Sequence, residues 1–119
     1  MGHCHASIKI YDKARSKSKE VPLLVDTGAT YTWVKKTTLE SLGLLSEGKW
    51  RFKTIEGREI EREIGEAVVE YDGLTATTIV VFALEEDAQV LGVHSLEGLR
   101  LEVDPVSKKL RRAEVLLAM

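Results

Sequence analysis

The chain has 119 residues, 44% apolar and 30% charged, with a net charge of −2 and a single cysteine, Cys4. These proportions fit one soluble globular domain over residues 1–119 and give no basic surface for nucleic acid or an anionic membrane. No apolar run reaches the roughly 20 residues of a bilayer crossing, the N-terminus lacks the regions of a signal peptide, and a lone cysteine suits a reducing cytoplasm. Asn is absent and Gln occurs once, at Gln89, while Glu, Lys and Arg abound. That bias points to a thermophile.

From the N-terminus, His3, Cys4 and His5 read either as a disordered tail or as ligands for a soft metal ion. Ile8 and Ile10 flank Lys9, the alternation of a half-buried strand. Asp12 to Lys19 is a charged, serine-containing loop, and Val21 to Val25 is a second apolar strand that can pair with the first. This strand runs directly into Asp26-Thr27-Gly28-Ala29-Thr30. Tyr31 to Val34 is a short β-rich run. Thr37 to Leu44 predicts a short helix, with Thr37 and Glu40 spaced as a capping box and Gly43 as its left-handed end.

Trp50 to Ile64 reads as a hairpin with its tip at Gly57. Ile60 and Ile64 occupy even positions, whereas Ala67, Val69 and Tyr71 occupy odd ones. A phase change at Gly65 predicts a β-bulge. Asp72-Gly73 is a two-residue hairpin turn leading into a strand from Leu74 to Leu84. Glu85-Glu86-Asp87 reads as a solvated acidic turn. Ala88 to Gly92 is a brief buried strand closed by glycine, Ser95 to Gly98 one helical turn, and Leu99–Val103 and Leu110–Leu117 strands around a turn at 104–107. Short strands with tight turns predict a mostly β barrel or sandwich with one or two short helices. Glu59, Glu61 and Glu63 share one face of a strand, and that face reads as solvent-exposed. His94 reads as a surface or helix-start residue, or as a brace for the loop at Asp26. Trp33 and Trp50 read as core or interface aromatics.

The chemistry concentrates at Asp26. A carboxylate at the end of a core strand must be hydrogen-bonded, paired or protonated. Gly28 lets the backbone turn sharply and bring amides to the carboxylate, and the Thr27 hydroxyl can lock the loop. Two such loops face to face would bring carboxyls to about 3 Å, where they share one proton. One then acts as general base on a water while the other protonates a carbonyl oxygen.

Leu24 to Thr30 resembles the active-site signature of the aspartic proteases, in particular the single-domain retropepsin-like kind. Val90-Leu91-Gly92 followed by Ser95-Leu96-Glu97-Gly98-Leu99 is similar to the late apolar-Gly segment and short helix of that family. The resemblance implies a closed acid-protease barrel with a flap hairpin. It further implies a symmetric homodimer, because a dyad needs two aspartates and this chain has one Asp-Thr-Gly. Asp26 would be catalytic and Thr27 and Gly28 would form the active-site loop, with Thr27 bonding across the two loops. Ala29 and Thr30 would border the cleft, and Ile55, Glu56, Gly57 and Arg58 would form the flap tip over substrate. The implied activity is hydrolysis of peptide bonds in a peptide or unfolded polypeptide, with no metal or organic cofactor. The flap is poorer in glycine than retroviral ones. Val93 and His94 stand where the family often has Arg or Asp, and a helix is inserted between the aspartate and the flap. The apolar run 113–119 would interleave with its mate in the dimer. The alternative is a weak or inactive module that dimerises or binds peptide on the same fold.

Overall fold

The computed structural model describes residues 4–115, and its first two strands follow from period-2 patterning. β1 (Cys4–Tyr11) and β2 (Ser18–Val25) pair antiparallel from Cys4↔Val25 to Tyr11↔Ser18. Ala6, Ile8, Ile10, Val21, Leu23 and Val25 all turn inward and are buried. The turn between them is built on Asp12, whose carboxylate accepts from the Lys17 amide at 2.8 Å and the Ser16 hydroxyl at 2.7 Å. These bonds hold the Asp12 carboxyl below its ordinary range, the Lys17 amide contributing most.

β3 (Thr32–Lys35) passes without a break into α1 (Lys36–Ser41). Lys35 therefore takes the N-cap position, and the capping box expected of Thr37 and Glu40 does not form. The C-terminal end follows the expectation. Gly43 has φ of 80°, its amide bonds to the Glu40 carbonyl, and the Leu44 amide reaches back to Leu39. That double bond with a left-handed residue is a Schellman closure. It tucks Leu39, Leu42 and Leu44 into the core.

β4 (Gly48–Lys53) and β5 (Glu59–Tyr71) form the long hairpin with Gly57 at its tip. There the Gly57 amide bonds to the Thr54 carbonyl at φ of 87°. β6 (Leu74–Ala83) follows the Asp72-Gly73 turn, where φ values of 51° and 79° are those of a type I′ turn. The bulge expected at Gly65 is not there: the β5–β6 ladder runs unbroken from Ile64↔Val81 to Tyr71↔Leu74. The phase of burial changes because the other edge of β5 changes partner, from β4 up to Ile64 to β1 from Val68. Gly65 serves packing instead. A Cβ there would lie 3.0 Å from the Leu45 carbonyl oxygen and 3.2 Å from the Phe82 ring.

β7 (Val90–Leu91) leads into α2 (Val93–Gly98). Among the described residues seven strands lie in the order β1-β2-β7-β3-β6-β5-β4, and the β1–β5 pairing closes all but β4 into a ring. Ile8, Ile10, Leu23, Leu39, Leu91 and Leu99 are fully buried inside it. Truncating one of them to Ala costs about 2–5 kcal/mol. β8 (Leu101–Val103) and β9 (Leu110–Arg112) form a separate two-stranded sheet, β9 being shorter than the expected Leu110–Leu117. Residues 116–119, the larger part of the terminal run 113–119 assigned to dimerisation, lie outside the described residues. His3 does as well. Of its neighbours, Cys4 packs against the core and His5 is exposed. Among the described residues no helix is long and apolar enough to cross a membrane.

Candidate active site

Asp26 follows the last residue of β2, where the parallel pairing of Leu24 with Val90 and Val25 with Leu91 ends. Its amide donates to the Leu91 carbonyl at 3.0 Å, so the backbone is pinned at the moment the strand stops. The side chain is half-buried, and its Oδ1 accepts from the Gly28 amide at 2.9 Å. A Cβ on residue 28 would stand 3.2 Å from that same oxygen, tighter than an ordinary contact. Gly28 thus supplies both the amide and the room for the carboxylate.

The loop after Asp26 is clasped by the β7–α2 corner. The Val93 amide bonds to the Ala29 carbonyl at 2.8 Å and the His94 amide to the Thr30 carbonyl at 2.9 Å. These are first-turn donors that a helix leaves without internal partners. No side chain caps α2; the loop carbonyls do the capping. Gly92 makes the contact possible, since a Cβ there would sit 2.6 Å from the Tyr31 carbonyl carbon and 2.8 Å from the Thr30 oxygen. Below, three buried hydroxyls lock the corner to the sheet. Thr32 Oγ1 accepts from the Gly92 amide at 3.1 Å and bonds to Ser95 Oγ, which in turn lies 2.9 Å from Thr78 Oγ1. The bracing expected of a charged side chain near Val93 and His94 is therefore done by their backbone amides and by Ser95. The His94 ring is exposed and meets Tyr31 edge-on at 5.8 Å.

Asp26, Gly28, Ala29 and Thr30 line one open groove of about 790 Å³ together with Ile55, Glu56 and Arg58 of the hairpin tip. Thr27 and Gly57 are exposed and stand outside that lining. Tyr31, Trp33, Phe52, Ile60 and Val90 add its apolar walls. The aromatic rings form a continuous run: Trp33 meets Phe52 at 5.1 Å, Phe52 meets Trp50 at 6.4 Å, and Trp50 meets Tyr31 at 5.4 Å.

The hairpin has two different faces. Register places Lys49 opposite Glu63, Arg51 opposite Glu61 and Lys53 opposite Glu59 on one face, and Trp50 opposite Arg62 and Phe52 opposite Ile60 on the other. The first set faces outward, as read for the glutamates, and Glu63 also takes Lys36 of α1 at 2.8 Å. That hydrogen bond holds the Glu63 carboxyl below its ordinary range. The inward arginine is matched by Asp87, which the local sequence had suggested to be a solvated turn residue. The guanidinium donates from Nε at 2.7 Å and from Nη2 at 3.0 Å to the two carboxylate oxygens. The Leu84 amide adds a third bond to Asp87 at 2.8 Å. The Arg62 hydrogen bond, followed by that amide, keeps the Asp87 carboxyl below its ordinary range. Glu85 and Glu86 beside it are exposed as expected. Arg62, Asp87, Ser95 and Thr78 carried no local signal, because their partners lie 17 to 63 residues away in the chain.

A family model described as "gag-polyprotein putative aspartyl protease" matches residues 13–98, a span that reaches from the first turn to the end of α2. No curated protein sequence matches. Among solved structures, the EIAV protease complexed with the inhibitor HBY-793 is 16% identical with a TM-score of 0.59, over 98% of this chain and 94% of that one. The protease of simian foamy virus (mac) is 20% identical with a TM-score of 0.52, over 77% and 92%. A retropepsin-like aspartic protease from Rickettsia conorii is 20% identical with a TM-score of 0.46, over 84% of each chain. The two viral likenesses are likenesses of fold: a mostly β chain with two short helices and a closed strand ring.

Proposed function

The chain belongs to the gag-polyprotein aspartyl protease family, and from that premise we propose that it is an aspartic endopeptidase that works as a homodimer. The observation that carries this reading is the Asp26 carboxylate, fixed by the Gly28 amide and lining a groove roofed by a hairpin. One chain supplies one such carboxyl. A second copy related by a two-fold axis supplies the other, with the Thr27 hydroxyls bonding across the paired loops.

A carboxyl pair at hydrogen-bond range shares one proton. The ionised member removes a proton from a water held between them, and the water oxygen attacks the peptide carbonyl carbon. The protonated member gives its proton to the carbonyl oxygen. Collapse of the resulting diol breaks the C–N bond and sends a proton to the leaving nitrogen. Neither step needs a metal or organic cofactor. Ala29 and Thr30 border the peptide, and Ile55, Glu56, Gly57 and Arg58 close over it and exclude water. The aromatic walls favour an unfolded polypeptide that presents apolar side chains. The free thiol of Cys4 suits a reducing cytoplasm.

The test is cleavage of an unfolded polypeptide between about pH 3 and 7, the range of a shared-proton pair, by the native chain and by Asp26→Asn. The variant is expected to lose on the order of a thousand-fold or more in rate while the dimer persists in sedimentation. Retained turnover in the variant would sink the mechanism. Binding of the polypeptide by the native chain without cleavage would favour a peptide-binding module.

A further inference from the structure

The hairpin over the groove leaves the body of the protein at a definite point. The β5–β6 ladder begins at Ile64↔Val81, and β6 ends at Ala83. From Glu59 to Glu63, β5 has only β4 beside it, and β4 pairs with no other strand among the described residues. Arg62 lies two residues beyond the last rung, on the inward face. Its side chain is 10% exposed and that of Asp87 is 11% exposed. Asp87 belongs to the segment between β6 and β7, which with Glu86 and Ala88 also lines the groove. Each nitrogen of the guanidinium is engaged: Nη1 donates to the Glu61 carbonyl at 2.9 Å while Nε and Nη2 hold Asp87. Two parallel N–H···O bonds fix direction as well as distance, and an arginine on an apolar inward face requires such a partner.

We propose that Arg62 and Asp87 are a positioning pair: a part-buried bolt that ties the root of the hairpin to the wall of the groove and sets its height above Asp26. For substrate binding, this rests on the peptidase reading above; for the hairpin's own mobility, it does not. The bolt takes over two residues past the end of the β5–β6 ladder, so the hairpin pivots at Arg62 and not at Ile64. Its loss frees the tip, with Ile55 and Arg58, to sample open positions. A peptide then binds to a less organised roof.

The experiment is hydrogen–deuterium exchange on the full chain, comparing segments within Gly48–Glu63 with the β1–β2 hairpin. Asp87→Asn breaks the fork while keeping an acceptor for the Leu84 amide. The double variant Arg62→Met/Asp87→Asn leaves no buried charge unpaired and so guards against simple unfolding. In both, the hairpin amides are expected to exchange about tenfold faster while β1–β2 stays within about twofold. Unchanged hairpin exchange, or equal acceleration everywhere, would overturn the bolt. In a cleavage assay KM is expected to rise several-fold more than kcat falls; a fall in kcat alone would overturn the positioning role. A native chain that cleaves nothing would refute the peptidase reading and leave the exchange result to decide the bolt.

Discussion

The loop at Asp26 and the hairpin above it face the same groove, yet they are held by different physics. The loop is gripped from within. Backbone amides of Val93 and His94 take its carbonyls, Gly92 admits it at van der Waals range, and the Thr32–Ser95–Thr78 hydroxyls close the space below. All of these contacts are buried or backbone-borne, and water competes for few of them. The hairpin is held by side chains: exposed cross-strand charges, the Lys36–Glu63 contact, the Trp33–Phe52 and Tyr31–Trp50 ring contacts and one part-buried ion pair. Surface pairs contribute about 0–1 kcal/mol each. On the proposed function, a carboxyl that must meet a second one within a fraction of an ångström needs the first kind of support, and a lid that must admit a chain and then cover it needs the second.

The contrast is broken most severely at Gly92. Gly92→Ala forces a methyl into the Thr30–Tyr31 backbone, and is expected to cost about 3 kcal/mol in urea unfolding and to abolish cleavage. A stability within about 0.5 kcal/mol of the native chain would show that the loop yields and is not clasped. Thr32→Val comes next. It preserves shape but leaves the Gly92 amide buried without an acceptor, at a cost of about 1–3 kcal/mol; the same denaturation experiment reads it. The smallest effect separates the two regions by pH. The Asp87 and Glu63 carboxyls are both held below their ordinary values of 3.8 and 4.5. Their contribution is complete above those values and is lost as the pH falls through the depressed ones. Amide protection in the hairpin is therefore expected to weaken as the pH falls below those ordinary values, while the Gly92 amide, held by the uncharged Thr32 hydroxyl, keeps its protection.

Much of the fold was legible because its signals are local. Period-2 alternation at Ile8 and Ile10, the Asp72-Gly73 pair and the glycine after Leu42 each act through neighbouring residues, and the structure carries a strand, a type I′ turn and a Schellman closure at those places. The Asp-Thr-Gly and Leu-Gly segments were legible for the same reason, being contiguous. Expectations erred where a neighbour in space overrode a neighbour in sequence. Thr37 lost its capping position because β3 runs straight into α1. The phase change at Gly65 reflected an exchange of strand partners. Asp87 looked solvated because its arginine stands 25 residues earlier. The Thr32–Ser95 bond spans 63 residues and leaves no pattern in either segment. The proposed assembly is less legible still, since a two-fold interface would write itself on one chain only as an incomplete site.

That incompleteness makes the separation of the two Asp26 carboxyls the decisive quantity. A crystal structure of the assembled protein should show them about 3 Å apart across a two-fold axis, with the Thr27 hydroxyls between the loops. Carboxyls more than about 6 Å apart in a dimer, or a chain that stays alone, would contradict a shared-proton pair and the peptidase built on it.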